Sequence, residues 1–279
     1  MKQFLYTFTS VCILFLISCN EIPVEIGDSP IPETDRVVLL EELTGASCPN
    51  CPKGSAAVEA ILQKYKDKVA AIAIHGDFLA QPVDGRSKYD FRNPKAKDLE
   101  NWFKPFLGKP CATVNRIELN DPDQKYATVS TGLWQSMIEK ELSKPNQLSL
   151  IMNNDYDPDT RIINIDITAI PVADLDGSYN ISIFLTESGI TDAQINGNVI
   201  VDDYVHNHVL RDIITRFDGD FFGSDMKQGT RIKKNYTYTL PDNKDGLWNA
   251  DKMDIVIAIH KSGGTDRTII QATQSKVIK

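Results

Sequence analysis

Short apolar runs alternate with amphipathic helical stretches between residues 36 and 144. The runs VVLLEEL (37–43) and VAAIAI (69–74) have the length and the apolar, β-branched character of buried strands. Between them, KGSAAVEAILQKY (53–65) repeats apolar residues at the spacing of one helix face. Strand–helix–strand order favours parallel pairing with helices on the faces of the sheet. The pattern predicts an α/β domain over residues 36–144.

The pattern changes to period-two alternation over residues 145–279. Six or seven short runs of this kind are separated by turn clusters such as DLDGS and KSGGTD, with almost no helical period. Strands of this length and spacing are typical of a β-sandwich. The sequence therefore predicts that an all-β, Ig-like sandwich domain follows the α/β domain.

The N-terminus has the features of an export signal. Residues 1–18 combine a basic start with an apolar run that is too short to span a bilayer, which predicts a signal peptide. The segment Leu16-Ile17-Ser18-Cys19 resembles the lipobox of bacterial lipoproteins, and this resemblance implies a lipid on Cys19. Residues 19–35 contain three prolines and no helical period, so we expect a flexible tether. The alternative is an ordinary signal peptide that is cleaved elsewhere.

Charge and cysteine content narrow the possible functions. The chain has 30 basic and 38 acidic residues, and this acidic balance argues against a nucleic-acid partner. Once the signal peptide is removed and Cys19 is lipidated, the remaining cysteines are Cys48, Cys51 and Cys111. An odd number of thiols outside the cytosol indicates a free or exchanging thiol rather than a framework of disulfides.

Cys48 and Cys51 form a Cys-Pro-Asn-Cys motif between a predicted strand and a predicted helix. The N-terminus of a helix stabilises a thiolate, and Pro52 is tolerated in a first turn. We expect Cys48 to be exposed just before the helix and to act as the nucleophile, and Cys51 to resolve the mixed disulfide. A metal site would need two further ligands, and a structural disulfide over so short a step would gain little loop entropy. The sequence predicts a redox pair, with no cofactor and no metal.

Two segments resemble the thioredoxin fold. VVLLEELTGASCPNC (37–51) resembles its first core strand and active-site turn, and LGKPCATVN (107–115) resembles its cis-proline loop. The resemblance implies that Glu42 is a buried carboxyl that handles the proton of the resolving cysteine, and that Pro110 is a cis-proline against which substrate binds as an added strand. Alternatively, Glu42 is solvated and Pro110 is an ordinary trans turn residue. Lys109 departs from the small residue that thioredoxins carry before this proline.

Four further residues keep more than one interpretation. Cys111 would lie near the redox pair as a buried small hydrophobe, a second resolving thiol or a third metal ligand. His75 ends the second predicted strand, where it could stabilise a thiolate or be an ordinary loop residue. His206 and His208 lie near two aspartates and could bind a metal or satisfy loop backbone groups.

A closer resemblance covers most of the chain. The lipobox, VLLEELTGASCPNCP, IAIHGD and DDYVHNHVLRDI resemble a family of bacterial outer-membrane lipoproteins named for a twenty-eight-kilodalton outer-membrane protein. The family implies a thioredoxin-like domain, a β-rich domain and attachment to the outer membrane through a lipid anchor.

These features together predict a lipid-anchored thiol–disulfide oxidoreductase of the cell envelope. Its expected partners are protein thiols and disulfides and an unidentified electron donor. The alternative is a non-enzymatic surface, adhesion or binding lipoprotein whose cysteines form a resting disulfide.

Overall fold

The computed structural model describes residues 31–32, 34–243 and 245–279. The predicted signal peptide, Cys19 and most of the predicted tether lie outside these residues. Within them, no helix has both the length and the apolar character needed to cross a bilayer.

The described residues form mostly β structure, with 42% of residues in strands and 17% in helices. The helices are α1 (Cys51–Tyr65), α2 (Pro94–Trp102) and α3 (Thr131–Leu142). The strands are β1 (Val38–Leu43), β2 (Val69–Ile74), β3 (Cys111–Val114), β4 (Leu148–Asp157), β5 (Ile162–Pro171), β6 (Leu175–Glu187), β7 (Ile190–Asn196), β8 (Val199–His206), β9 (Val209–Ile213), β10 (Asp220–Met226), β11 (Ile232–Thr239), β12 (Met253–Ser262) and β13 (Ile269–Lys276).

One sheet of eight strands contains elements from both halves of the chain. Its order is β13-β12-β6-β9-β2-β1-β3, and β10 pairs with β6 beside this path. The pairs β1–β2 and β2–β9 are parallel, whereas the other pairs are antiparallel. Strands β11, β5 and β4 form a second, antiparallel sheet, and β7 and β8 form a separate hairpin.

The predicted fold class, an α/β thioredoxin-like domain followed by an all-β Ig-like sandwich, is wrong. The strands of residues 36–144 do not have a sheet of their own, because Ala73 of β2 pairs with Val209 of β9 and β9 pairs in turn with β6. Strand β3 runs antiparallel to β1. The protein is instead a β-rich fold with one mixed sheet and one antiparallel sheet.

Strand β1 is buried on both faces of the large sheet. Val38 and Leu40 belong to an apolar cluster with residues of α1 and α3, whereas Leu39 and Leu43 belong to a cluster with residues of α2, β12 and β13. All six residues of β1 are buried. Strands β6 and β12 present further side chains to the second sheet, which encloses a third cluster. The large sheet is thus the shared wall of three apolar clusters.

Glu41 lies within this buried strand and is paired with a buried arginine. Its oxygens lie 2.7 and 2.8 Å from the guanidinium of Arg116, and both side chains are fully buried. The guanidinium also lies 5.1 Å from the ring centre of Trp102 and 5.6 Å from that of Phe103. Two charges are therefore held in the core by a bidentate pair and by aromatic rings.

Replacing Glu41 with glutamine should destabilise the protein strongly. The Glu41→Gln change leaves the Arg116 guanidinium buried without a counter-charge, which typically costs about 3–5 kcal/mol. Urea unfolding measures this loss. In the control Lys64→Gln, the change removes an ion pair with Glu139 whose side chains are about half exposed, so the unfolding midpoint should scarcely move. Equal stability of Glu41→Gln and the unchanged protein would show that the buried pair is dispensable.

Candidate functional site

Cys48 and Cys51 form a disulfide at the N-terminal end of α1. Their Cα atoms are 5.3 Å apart, and the N–H of Cys51 donates to the carbonyl oxygen of Cys48 at 3.2 Å. Cys51 is the first residue of α1 and Pro52 lies in the first turn. The expectation that the helix begins just after Cys48, with Pro52 in its first turn, is confirmed.

The prediction that Cys48 is exposed is wrong, because the β7–β8 hairpin covers the disulfide turn. Cys48 and Cys51 are 0% and 1% exposed. The N–H groups of Ile195 and Gly197 donate to the carbonyl oxygens of Ala46 and Pro49 at 2.9 and 2.8 Å.

The side chain of Gln194 adds a second set of bonds between the hairpin and the turn. Its Nε2 lies 3.2 Å from the carbonyl oxygen of Gly45 and 3.1 Å from that of Cys48. Sequence reasoning missed this cover, since nothing in the spacing of residues 190–206 relates them to residues 45–49.

Glu42 is buried against the first turns of α1. Its carboxylate accepts a hydrogen bond from the Ser55 hydroxyl at 3.4 Å. A Cβ atom on Gly54 would lie 2.6 Å from Glu42 Oε1 and 2.6 Å from the Cβ of Pro110, so glycine permits this close approach. Burial raises the pKa of Glu42 to about 8, against the lowering effect of the Ser55 hydrogen bond. Glu42 therefore holds a proton at neutral pH.

The segment Lys109–Pro110–Cys111 lies next to the same turn of α1. The Lys109–Pro110 peptide bond is cis. Lys109 is buried, and its Nζ lies 2.6 Å from Glu100 Oε2 and 2.9 Å from the carbonyl oxygen of Thr44. Lys109, the residue that departs from the thioredoxin pattern, thus connects the start of β3 with the segment after β1 and with α2.

Cys111 occupies the first position of β3 and pairs with Leu43 of β1. It is fully buried in the apolar cluster that contains Leu43, and burial raises the pKa of its thiol. These surroundings favour the buried hydrophobe among the three interpretations of Cys111.

His75 follows β2 directly and lies in an aromatic cluster. Its ring centre is 5.1 Å from that of Phe91 and 6.1 Å from that of His206. Burial is the main cause that lowers the pKa of His75 well below its ordinary value, so the ring is neutral. A neutral imidazole supplies no positive charge to a thiolate.

His206 and His208 have different partners. His206 packs on Tyr204 and Phe91, whereas Nε2 of His208 lies 3.4 Å from Glu59 Oε1. Across the part of the chain that the structure describes, no group of three or more His, Cys, Asp or Glu side chains could hold a metal. The surroundings of these histidines do not favour the metal interpretation.

Two bacterial proteins of known structure share this fold. HBP35 of Porphyromonas gingivalis superposes with a TM-score of 0.67 at 15% identity, over 88% of this chain and 76% of that one. A protein of Agrobacterium tumefaciens solved by structural genomics superposes with a TM-score of 0.56 at 12% identity, over 89% of this chain and 97% of that one. At these identities, the likeness shows the fold alone. None of the curated proteins matches the sequence.

A family profile matches residues 97–279, from within α2 to the last residue, and its description is "Outer membrane protein Omp28". The match includes Pro110 and Cys111 and begins after Glu42, Cys48 and Cys51. It covers more than half of the chain and confirms the family expected from the sequence motifs, although not the thioredoxin-like fold. The chain belongs to the Omp28 family of outer membrane proteins.

Proposed function

We propose that this chain catalyses thiol–disulfide exchange at Cys48 and Cys51 in the outer membrane, where a lipid on Cys19 anchors it. The observation that supports this proposal is the position of the disulfide on the first turn of α1, with the buried carboxyl of Glu42 against the same face of the helix. Cys51, Gly54 and Ser55 share that face at spacings of three and four residues.

The start of α1 favours a thiolate in the reduced pair. The first turn contains no acidic residue, and the N-cap Asn50 makes no hydrogen bond through its side chain. The N–H groups of Cys51 and Lys53 already bond the carbonyl oxygens of Cys48 and Asn50, so the positive end of the helix dipole is what stabilises negative charge on sulfur. A lower thiol pKa increases the fraction of the nucleophilic form at neutral pH.

The exchange then proceeds in two balanced steps. The Cys48 thiolate attacks one sulfur of a substrate disulfide, forms a mixed disulfide and releases the first substrate thiolate. Cys51 gives its proton to the ionised form of Glu42 and attacks the Cys48 sulfur, which releases the second substrate thiolate and forms the Cys48–Cys51 disulfide. The substrate is reduced by two electrons and the cysteine pair is oxidised. A dithiol donor must reduce the pair before the next turnover.

The hairpin must open for either sulfur to meet a substrate. The β7–β8 hairpin already occupies the carbonyl oxygens of Ala46 and Pro49, which a substrate strand could use in the same way. Local opening of a two-stranded hairpin requires far less free energy than global unfolding. Because both cysteines are buried while the hairpin is closed, the hairpin must open before each attack.

Serine substitutions test the roles of the two cysteines. Cys51→Ser should accumulate mixed disulfides with envelope proteins, because the resolving thiol is absent, whereas Cys48→Ser should trap none. Non-reducing electrophoresis of envelope fractions measures the adducts, and Cys111→Ser is the control for the third thiol.

Gln194→Ala should accelerate dithiothreitol-driven reduction of insulin, since it removes the side-chain bonds that hold the hairpin closed. Equal adducts from both serine variants would refute the roles, and an inert insulin assay without adducts would favour a binding protein with a resting disulfide.

The free energy of unfolding should fall with rising pH because of Glu42. In the unfolded chain the carboxyl ionises near its ordinary value of 4.5, whereas in the folded chain it keeps its proton up to about pH 8. The folded state therefore binds one more proton between these values. Its stability decreases by up to about 1.4 kcal/mol per pH unit in this window.

Urea unfolding of the unchanged protein and of Glu42→Gln from about pH 5 to pH 8 tests this prediction. The glutamine does not titrate, so the difference in unfolding free energy between the two proteins should change steadily across the window. Parallel pH profiles would show that Glu42 is not a buried acid.

Lipid attachment at Cys19 makes two measurable predictions. Mass spectrometry of the mature N-terminus should find diacylglyceryl-modified Cys19 as the first residue, and Cys19→Ser should leave the membrane fraction. A Cys19→Ser protein that still sediments with membranes would contradict the lipid anchor.

A further inference from the structure

A cavity of about 230 Å³ lies beside the disulfide turn, between α1, β2 and the end of β8. Its volume is below the 300–1,000 Å³ of sites for drug-sized ligands, so it fits a small metabolite. The side chains that give it chemical character are Glu42, Ser55, Glu59, His75, Tyr204 and His206.

The wall of this cavity contains two carboxyl groups and three imidazoles. Among the described residues that line it, none is Lys or Arg. Glu59 is ionised, because hydrogen bonds from His208 and Asn207 lower its pKa. Both contacts are made by Oε1, at 3.4 and 3.0 Å, so a ligand can be held at Oε2. The Glu59 side chain is 40% exposed, which gives the cavity an entrance at this carboxylate.

Two buried imidazoles add hydrogen-bond acceptors. Nδ1 of His75 and Nε2 of His206 have no hydrogen-bond partner within the part of the chain that the structure describes. The backbone at Ala73 acts on the His75 ring, and the backbone at Asp192 and Ala193 acts on the His206 ring. A neutral imidazole has one N–H donor and one acceptor nitrogen, so a ligand in the cavity can pair with the open nitrogen of each ring. Unpaired buried acceptors destabilise a protein, so donors supplied by a ligand would be favourable.

We propose that this cavity binds a small organic cation with a primary ammonium group. The ammonium has three N–H donors, its charge complements Glu59, and the rings of Tyr204 and His206, whose centres are 4.8 Å apart, pack beside it. An anionic ligand would meet carboxyl groups without a compensating cation. A purely apolar ligand would leave the two imidazole nitrogens unpaired.

Calorimetric titration of the full chain in detergent at neutral pH tests this site with three probes of nearly equal size, namely n-butylammonium, 1-butanol and butyrate. We expect saturable one-to-one binding of n-butylammonium and none of the alcohol or the carboxylate. Equal binding of the alcohol, or no saturable binding of the cation, would overturn the proposal.

Two matched variants locate the site. Glu59→Gln should weaken n-butylammonium binding about ten-fold or more, since it removes a charge-assisted hydrogen bond, and Glu59→Asp should retain part of the affinity. Glu139→Gln makes the same charge change on α3, outside the cavity, and should leave the affinity unchanged. Unchanged affinity in Glu59→Gln would assign the binding to another surface.

Discussion

Two adjacent carboxyl groups on a strand that is buried on both faces constrain this fold. Because successive side chains of a strand point to opposite faces, Glu41 and Glu42 enter different apolar layers. A bare carboxylate in either layer would be too costly. Glu41 has Arg116 as its counter-ion, whereas Glu42 is neutralised by a proton.

The disulfide turn depends on the second of these solutions. A neutral Glu42 can lie against the backbone of α1 at Gly54, where Pro110 closes from the other side. This contact fixes the first turn of α1, and with it Cys51, relative to β1 and β3. The proton on Glu42 therefore stabilises the resting protein, whereas the proposed exchange uses the ionised form of the same carboxyl as a proton acceptor. The same burial that raises its pKa supplies both roles.

The local elements near the site could be predicted from the sequence. The VAAIAI run is strand β2, the VVLLEEL run contains β1, and the helical period of residues 53–65 lies within α1. These features depend on periodicity and on capping, which are properties of neighbouring residues. The end of β3 was harder to predict. The apolar pattern of the sequence continues past this strand, whereas positive φ angles at Asn115 and Arg116 end it.

The features that could not be predicted join residues distant in sequence. The pairing of Ala73 with Val209 extends the large sheet into the second half of the chain, and Glu41 meets Arg116 across 75 positions. Strand–helix–strand order predicted the parallel β1–β2 pair correctly, but it carries no information about which strand comes next in the sheet. The predicted thioredoxin-like fold was wrong because the order of strands in the sheet could not be deduced from their order in the chain.

The position of the β7–β8 hairpin connects the two proposals. Gln194 of β7 bonds the disulfide turn, and Tyr204 and His206 of β8 line the cavity. Any movement that exposes Cys48 must also remove side chains from the cavity wall. A ligand can shift such an equilibrium only by its difference in affinity between the closed and the open hairpin. An occupant of the cavity binds the closed form better, because only that form supplies both imidazoles. Ligand binding and access to the disulfide are therefore opposed, and by linkage an exchange partner that holds the hairpin open must weaken the ligand by the same factor.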